Sequence, residues 1–410
     1  MTSEPRQAFV WAWLPGAAEP VVAGRLDADG PLVTFTYGRS YLAREDRIPL
    51  YLPELPLRRG PISPLAGAVA GCIADAAPDA WGQRVILNHR LGVAGADTAD
   101  LGLITYLLES GSDRIGALDF QASASEYVPR AKDRATLAQL AESARLVEEG
   151  VPLPAALDRA LLHGSSVGGA RPKALLDAGE RRLIAKFSST TDTYPAVKGE
   201  FVAMELARRA GLGVAAVELA PVDGRDVLLV ERFDRPGRGE RRAIVSALTI
   251  LGLDENGARY ASYAELANLV RARFTDPVPT LRELFARIAF NVLCGNSDDH
   301  ARNHAAFWDG AELTLTPAYD VCPQRRAGGE TTQAMIIGAD GYRFSQVAGC
   351  VARASTYMLS EPDAREIVDR QIEVIESQWA EVCELAGLTE VERRYFWRRQ
   401  FLNPYATEGY

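Results

Sequence analysis

Gly295-Asn296-Ser297-Asp298-Asp299-His300-Ala301-Arg302-Asn303-His304 is the stretch of sequence on which the prediction of fold and function depends. Before it, apolar residues recur at helical spacing from Leu281 to Leu293. This spacing predicts a helix with one buried face, which begins at a capping box of Thr280 and Glu283 and ends at Gly295. The apolar run 305–308 follows the stretch. We therefore expect a dense polar loop held between packed elements, where functional residues concentrate.

The loop carries an aspartate and an asparagine five residues apart, Asp298 and Asn303. The catalytic loop of protein kinases has the same offset: its Asp accepts the proton of the substrate hydroxyl and its Asn holds Mg²⁺. Asp320 follows at the end of an apolar strand, where a kinase keeps its second metal ligand. Each carboxylate alone could cap a helix or begin a turn, but the three at this spacing favour phosphoryl transfer.

His300 and His304 are four residues apart, a spacing that also occurs in zinc hydrolases. The zincin pattern requires a Glu directly after the first His, whereas this sequence has Ala301. The sequence nearby offers no obvious third His or Cys ligand. We therefore expect His304 to form structural hydrogen bonds rather than to bind zinc.

A second stretch of interest is Gly164-Ser165-Ser166-Val167-Gly168-Gly169-Ala170-Arg171-Pro172-Lys173. Its small residues let the backbone approach phosphates, and a lysine ends it. It is not a Walker A motif, because GxxxxGK[ST] is absent. Lys186 then lies in an apolar strand, where its charge is costly to bury unless it is paired. Kinases pair such a lysine with a glutamate on a helix; Glu200 and Glu205 are the candidates, and we favour Glu200.

The segment Val230-Glu231-Arg232-Phe233-Asp234-Arg235 ends another apolar strand. Backbone groups at such a strand end could bond an adenine while Phe233 lies against the base. Taken alone, the segment could equally be a strand end with surface charges.

The composition excludes several classes of protein. The chain has 410 residues and a formal net charge of −9, which argues against wrapping nucleic acid unaided because that requires clustered Lys and Arg. Its five cysteines are widely spaced without a CxxC pair, as expected for buried thiols in a reducing compartment. No apolar run approaches the ~20 residues that span a bilayer. We expect a cytoplasmic protein with no membrane contact.

Local patterns predict the elements around these motifs. Strand-like runs alternate with turns over residues 7–60, including one at 41–43. Hairpins are expected at 173–187 and around the Asp-Gly pair at 223–224. Helices are expected at 200–210 and after Ser360. A β-rich region followed by a helical one predicts an α+β fold with two lobes.

The ordered set of motifs resembles the HipA family of bacterial serine/threonine-protein kinases, which are toxins of type II toxin–antitoxin modules. The resemblance also includes an N-terminal segment, Asp75-Ala76-Ala77-Pro78-Asp79-Ala80-Trp81-Gly82. It implies a protein-kinase-like fold with a β-rich, HipA-type subdomain over 1–125. A kinase N-lobe with nucleotide loop and hinge would follow over 126–240, and a helical C-lobe with the catalytic loop over 241–410.

The resemblance also implies roles for residues. Asp298 would be the catalytic base, and Asn303 and Asp320 would bind Mg²⁺. Ser166 would be the self-phosphorylated serine, although Ser165 beside it leaves the choice open. A phosphate there would add negative charge where ATP brings its own. The residues expected to contact ATP are Val167, Gly168, Gly169, Ala170, Arg171, Lys173, Lys186, Glu231, Phe233, Asp234 and His300.

The family further implies a helix-turn-helix antitoxin of the HipB type, with operator DNA bound mainly through that partner. The substrate would be a protein, for example an aminoacyl-tRNA synthetase, whose phosphorylation arrests growth and leads to persistence. Two alternatives remain open. One is a nucleotide-binding corepressor that acts with the antitoxin on DNA without catalysis, and the other is a kinase of small molecules.

Overall fold

The computed structural model describes residues 4–91, 101–130, 135–151, 153, 161–162, 171–189, 191–237, 239–326 and 329–410. The chain divides into two compact units, each built from separate stretches of sequence. The first unit comprises Met1–Thr191, Ala220–Val245 and Phe307–Ala311, and the second comprises Asp192–Leu219, Ser246–Ala306 and Glu312–Tyr410. The three-segment division expected from the sequence stays a prediction.

The first unit contains a five-stranded sheet in the order β4-β3-β2-β1-β5. Its neighbouring strands pair antiparallel. Gly24 is required in β2, because a Cβ there would lie 2.3 Å from the carbonyl oxygen of Thr36 on the adjacent strand. The strands are β1 (Gln7–Ala12), β2 (Val21–Asp29), β3 (Leu32–Tyr37), β4 (Pro61–Ile62) and β5 (Leu118–Gln121).

The helices of the same unit whose bounds lie within the described residues are α1 (Arg39–Leu42), α2 (Gly71–Ala74), α3 (Ala80–Leu91), α4 (Leu103–Glu109) and α5 (Leu137–Glu148). The strand-like run predicted at 41–43 is wrong, since Tyr41 lies in α1. The helical turn lets the Tyr41 ring stack on Tyr37, with the ring centroids 5.5 Å apart, and lets its hydroxyl donate to the carbonyl of Ile48 at 2.7 Å. Tertiary packing here overrides the local strand preference.

A four-stranded sheet has the order β6-β7-β9-β8, formed by β6 (Lys173–Ala178), β7 (Arg181–Phe187), β8 (Val217–Val222) and β9 (Arg225–Glu231). The hairpin predicted over 173–187 is confirmed, with Lys173 opposite Lys186. The Asp-Gly turn is also confirmed: Asp223 and Gly224 both have positive φ, 48° and 76°, as a type I′ turn requires. The inner face of this sheet packs on a core of buried residues that includes Trp81, Leu140 and Val147.

The second unit is mainly helical. Its helices are α6 (Ala196–Arg209), α7 (Ala247–Ile250), α8 (Tyr263–Arg273), α9 (Pro277–Cys294), α10 (Val347–Val351), α11 (Glu361–Leu385) and α12 (Glu390–Phe396). The remaining strands among the described residues are short: β10 (Ala243–Ser246), β11 (Ala305–Trp308) and β12 (Leu313–Leu315). Within the described residues, no helix is both long and apolar enough to cross a membrane.

Helix α9 is the predicted helix before the polar loop, but its start differs. The capping box of Thr280 and Glu283 is wrong, because the helix begins one turn earlier at Pro277. Proline suits the first helical turn, where its missing N–H costs nothing. The Glu283 carboxylate instead accepts from Arg287 Nε at 2.8 Å. The end at Gly295 is confirmed, with φ of 76°.

The other helix predictions agree with the structure. Helix α6 ends at Arg209, and Gly211 follows with φ of 95°. Helix α11 is capped by Ser360, whose hydroxyl accepts from the Asp363 amide at 3.2 Å. The five cysteines are all buried, as expected.

Candidate active site

Hydrogen bonds to the last turns of α9 hold the polar loop 295–304 in place. Asn291 Nδ2 donates to Asp299 Oδ2 at 2.7 Å, and Asn296 Nδ2 donates to Asn291 Oδ1 at 3.0 Å. All three side chains are buried. Because buried polar groups must be paired, this chain of hydrogen bonds ties the loop to the helix in one conformation.

Asp299 is the centre of this anchor. Tyr263 donates its hydroxyl to Asp299 Oδ2, and His304 Nε2 lies 2.9 Å from the same oxygen. Burial, together with the adjacent Asp299 carboxylate, raises the pKa of Tyr263 well above its ordinary value, so it stays a hydrogen-bond donor. Asp299 is therefore a structural carboxylate, and His304 has the hydrogen-bonding role predicted for it.

Asp298, the next residue back, has a different environment. Its side chain is exposed, and it is influenced electrostatically by His300, Asp299 and Asp320. Partial desolvation raises the pKa of Asp298, the two carboxylates raise it further, and His300 opposes them. The structure thus brings the predicted base close to Asp320, which is 22 residues further along the chain.

The two residues before Asp320 are held by hydrogen bonds to backbone carbonyls. Ala318 donates its amide to the carbonyl of Gly213 at 2.7 Å, and Tyr319 donates its hydroxyl to the carbonyl of Arg302 at 2.7 Å. Asp320 itself has φ of 59°, a left-handed conformation that costs a non-glycine residue about 1 kcal/mol or more. Backbone strain of this kind persists where the surrounding contacts hold the residue in that conformation, and it is common at active sites.

Asn303 ends a 3₁₀ turn over Ala301–Asn303, and its amide donates to the carbonyl of His300 at 2.8 Å. Its side chain is buried. Nδ1 of His300 is also buried, and it has no hydrogen-bond partner among the described residues. This nitrogen is therefore available to a bound ligand.

The donor set suits a hard cation. Asp320 supplies a carboxylate and Asn303 an amide oxygen, and Mg²⁺ is commonly held by one or two such groups together with phosphate oxygens and water. In the described part of the chain, no three His, Cys, Asp or Glu side chains are grouped as a metal site would require. Two oxygen donors of this kind suit Mg²⁺ that is shared with phosphate oxygens, and their joint role at a cation stays a prediction.

Two of the predicted nucleotide residues, Lys173 and Lys186, lie on the four-stranded sheet. Lys173 begins β6 and Lys186 lies opposite it on β7. Of the two glutamates considered as partners for Lys186, Glu205 binds Arg208 and Arg209 at 2.7 and 2.8 Å, whereas Glu200 is buried. The partner of Lys186 stays a prediction.

The segment after β9 divides between exposed and buried roles. Glu231 is partly exposed and lies 3.2 Å from Arg181, and the Phe233 ring packs edge-on against Phe307 with centroids 5.8 Å apart. Asp234 is buried, and its oxygens accept from Arg232, Arg235 and the amide of Gly116, all at 2.8–2.9 Å. The Asp234 side chain is therefore committed to structure, and its carbonyl accepts from the Arg242 amide at 3.0 Å.

This segment is joined to a part of the first unit that sequence reasoning did not single out. Arg232 Nη1 donates to Asp113 Oδ1 at 2.9 Å, and Arg114, which is fully buried, donates to Asp119 Oδ1 at 2.9 Å. These pairs join residues up to 119 positions apart in the chain. No periodicity or short motif could have predicted them.

Part of the predicted site cannot be placed. Ser165, Ser166, Val167, Gly168, Gly169 and Ala170 lie outside the described residues. Arg171 is described and is partly buried, and Lys173 is buried.

Comparison with protein families gives two matches along the chain. Residues 165–379 match the HipA-like C-terminal domain, and residues 17–121 match the HipA N-terminal domain. Together they cover both the motifs of the polar loop and the N-terminal region.

Individual relatives agree with these matches. The "Putative kinase Y4mE" of Sinorhizobium fredii is 29% identical over 330 residues, which is 70% of this chain and 71% of that protein. The serine/threonine-protein kinase toxin HipA of Shewanella oneidensis is 32% identical over 145 residues, which is 30% of this chain and 33% of the toxin.

Among solved structures, HipA of Shewanella oneidensis, in a complex with HipB and operator DNA, superimposes with a TM-score of 0.70 and 23% identity over 95% of both chains. This likeness shows that the α+β fold expected from the sequence is the fold of HipA. The chain therefore belongs to the HipA family of kinase-like proteins, which includes a serine/threonine-protein kinase toxin.

Proposed function

We propose that this protein is an ATP- and Mg²⁺-dependent serine/threonine-protein kinase that acts as a growth-arresting toxin. The observation that carries the proposal is the contrast between two adjacent aspartates. Asp299 is buried and holds the loop, whereas Asp298 is exposed and lies within electrostatic reach of Asp320 and His300. A general base must be accessible to its substrate and must stand on a rigid support, and Asp298 meets both conditions.

In this proposal Asp298 accepts the proton of the substrate hydroxyl. Asp320 and Asn303 would hold Mg²⁺, which when bound neutralises the charge on the transferred phosphate. His300 offers its buried Nδ1 to a phosphate oxygen or to the metal's water. The strained backbone at Asp320 keeps its carboxylate oriented before the ligand arrives.

The nucleotide would be held by residues of the first unit. Lys186 and Lys173 would contact the phosphates, together with the backbone of Val167, Gly168, Gly169, Ala170 and Arg171. Glu231 and Phe233, with the backbone at Asp234, would line the adenine. Phosphorylation of Ser166 would switch the kinase off, because it places negative charge beside the triphosphate position.

The proposed partners follow from the family. The Shewanella relative was solved with HipB and operator DNA, and the net charge of −9 suits DNA contact through such an antitoxin rather than by this chain alone. The proposed substrate is a protein of the translation machinery, such as an aminoacyl-tRNA synthetase. The proposed location is the cytoplasm.

Transfer of labelled γ-phosphate to protein tests the catalytic roles. Asp298→Asn is expected to reduce transfer by ~10²–10⁴-fold, as loss of a general base does. Asp320→Asn should also abolish the dependence on Mg²⁺ concentration. Asp29→Asn is the matched control, since the side chain of this aspartate, the last residue of β2, is 96% exposed. Loss of transfer in the control to the same degree would contradict the assignment.

Expression in cells without an antitoxin separates the alternatives. If the protein is a kinase toxin, the wild type slows growth and the Asp298→Asn variant does not. Equal arrest by both would favour the corepressor, which acts by binding. Growth arrest with phosphorylated metabolites but no phosphoprotein would favour a kinase of small molecules.

A further inference from the structure

The segment 78–82, Pro-Asp-Ala-Trp-Gly, contacts Lys173 at two points. The indole of Trp81 donates to the carbonyl of Lys173 at 2.9 Å. The Oδ2 atom of Asp79 lies 3.8 Å from the Lys173 ammonium. A segment more than 90 residues away in the chain thus engages both the backbone and the side chain of one lysine.

The surroundings of Lys173 make its charge dependent on a partner. Its side chain is only 4% exposed, and its neighbour Ala174 belongs to the same buried core cluster as Trp81 and Leu183. An ammonium in apolar surroundings loses its proton unless an opposite charge compensates for the lost water. The Asp79 carboxylate supplies that charge.

Asp79 is itself held in a fixed orientation. Its Oδ1 accepts from the amide of Gly82 at 3.1 Å, at the start of α3. Its Oδ2 is buried and accepts no hydrogen bond from any described residue. Burial raises the pKa of Asp79 to about 6, and Lys173 opposes the shift. A carboxylate kept in such a place at a cost to its charged form indicates a function.

We propose that Asp79 is a positioning residue, whose carboxylate keeps the Lys173 ammonium charged and in place for the phosphates of the nucleotide. This inference rests on the proposed function, which assigns Lys173 to the triphosphate. It gives the N-terminal segment a part in nucleotide binding, although that segment carries none of the kinase motifs.

A double-mutant cycle on binding of Mg·ATP, measured by calorimetry, tests the inference. Asp79→Asn and Lys173→Met should each weaken binding about tenfold, and the double variant should bind no more weakly than Lys173→Met alone. Asp177→Asn is the matched control, because it removes an exposed ion pair, 3.4 Å to Arg182, from the same hairpin. The control should bind as the wild type does.

Two further variants separate positioning from a structural role. Trp81→Phe keeps an aromatic ring in the core but loses the hydrogen bond to Lys173. Asp79→Glu restores the charge and should recover most of the affinity that Asp79→Asn loses. In phosphate transfer, Asp79→Asn should raise KM for ATP and leave kcat nearly unchanged, whereas general loosening of the fold would lower both thermal stability and kcat.

The outcomes distinguish this inference from the proposed function. If the wild type transfers phosphate and Asp79→Asn binds Mg·ATP equally well, the inference is overturned and the proposed function stands. Multiplicative effects in the double variant, or no recovery by Asp79→Glu, also overturn it. If the wild type binds Mg·ATP with the expected coupling but transfers no phosphate to protein, the inference holds and the proposed function fails.

Discussion

At the scale of single residues, two neighbouring aspartates have opposite properties. Asp299 accepts from Asn291 and Tyr263 in a buried site, whereas Asp298 is exposed and has a raised pKa. The sequence alone placed both in a polar loop and predicted Asp298 as the base from its offset from Asn303. The anchoring partner Tyr263 could not be predicted, since it lies 36 positions earlier and carries no local signal.

Asp299→Asn is expected to destabilise the protein by about 1–3 kcal/mol, because it leaves buried donors without their charged acceptor. Asp298→Asn should instead stabilise the protein at neutral pH. A raised folded-state pKa means that folding disfavours the charged carboxylate, so removing the charge stabilises the protein above that pKa and has no effect in acid, where Asp298 is protonated. Thermal unfolding of both variants at pH 4 and pH 7.5 checks these signs. A lower melting temperature for Asp298→Asn at pH 7.5 would contradict this account.

Asp79 predicts a second pH dependence. Its pKa is raised from 3.8 to about 6 in the folded protein, so the folded state binds this proton more tightly than the unfolded state does. The wild type should therefore lose stability relative to Asp79→Asn as the pH rises from about 4 to 7, by up to about 3 kcal/mol. Chemical denaturation of both proteins across this range measures the difference. A difference that does not change with pH would show that Asp79 titrates normally.

At the scale of elements, the predictions that depend only on neighbouring residues agree with the structure. The hairpin at 173–187, the Asp-Gly turn and the glycine after α9 all depend on neighbouring residues, and all are confirmed. The predicted start of α9 and the predicted strand at 41–43 were wrong, because α9 begins earlier at Pro277 and because the Tyr41 ring stacks on Tyr37 from a helical turn. The loop that carries the candidate site was thus predictable in position, while its supports were not.

Gly295 gives a direct test of the support beneath the loop. It has φ of 76°, and a Cβ there would lie 2.8 Å from the carbonyl oxygen of Gln400. Gly387 is the matched control, since it follows α11 with φ of 59° and open space around the Cβ position. We expect Gly387→Ala to cost about 1 kcal/mol from backbone strain alone and Gly295→Ala about 2–4 kcal/mol. Equal losses in denaturation experiments would mean that the contact with Gln400 is unimportant.

At the scale of the whole molecule, stability within the first unit depends on charges that are distant in sequence. Arg232 is buried between Asp113 and Asp234, with contacts of 2.9 and 2.8 Å. Arg232 and Asp234 belong to the segment 230–235, and Asp113 is over a hundred positions earlier in the chain. The family's motif could therefore be recognised in the sequence, while the reason for its charges is visible only in three dimensions.

Arg232→Met is expected to destabilise the protein by about 3 kcal/mol, because the carboxylates of Asp113 and Asp234 lose one of the two arginines, Arg232 and Arg235, that they share. Arg181→Met is the control, since this arginine pairs with Glu231 at 3.2 Å in an exposed position and should change stability by less than about 1 kcal/mol. Denaturant unfolding distinguishes the two. A small effect of Arg232→Met would show that the buried network is dispensable.

Mg²⁺-dependent transfer of labelled phosphate from ATP to protein, compared between the wild type and Asp298→Asn, tests the central claim most directly. The account predicts transfer by the wild type and a loss of ~10²–10⁴-fold in the variant, with unfolding still cooperative. Equal transfer by both proteins, or none by a well-folded wild type supplied with ATP and Mg²⁺, would contradict it.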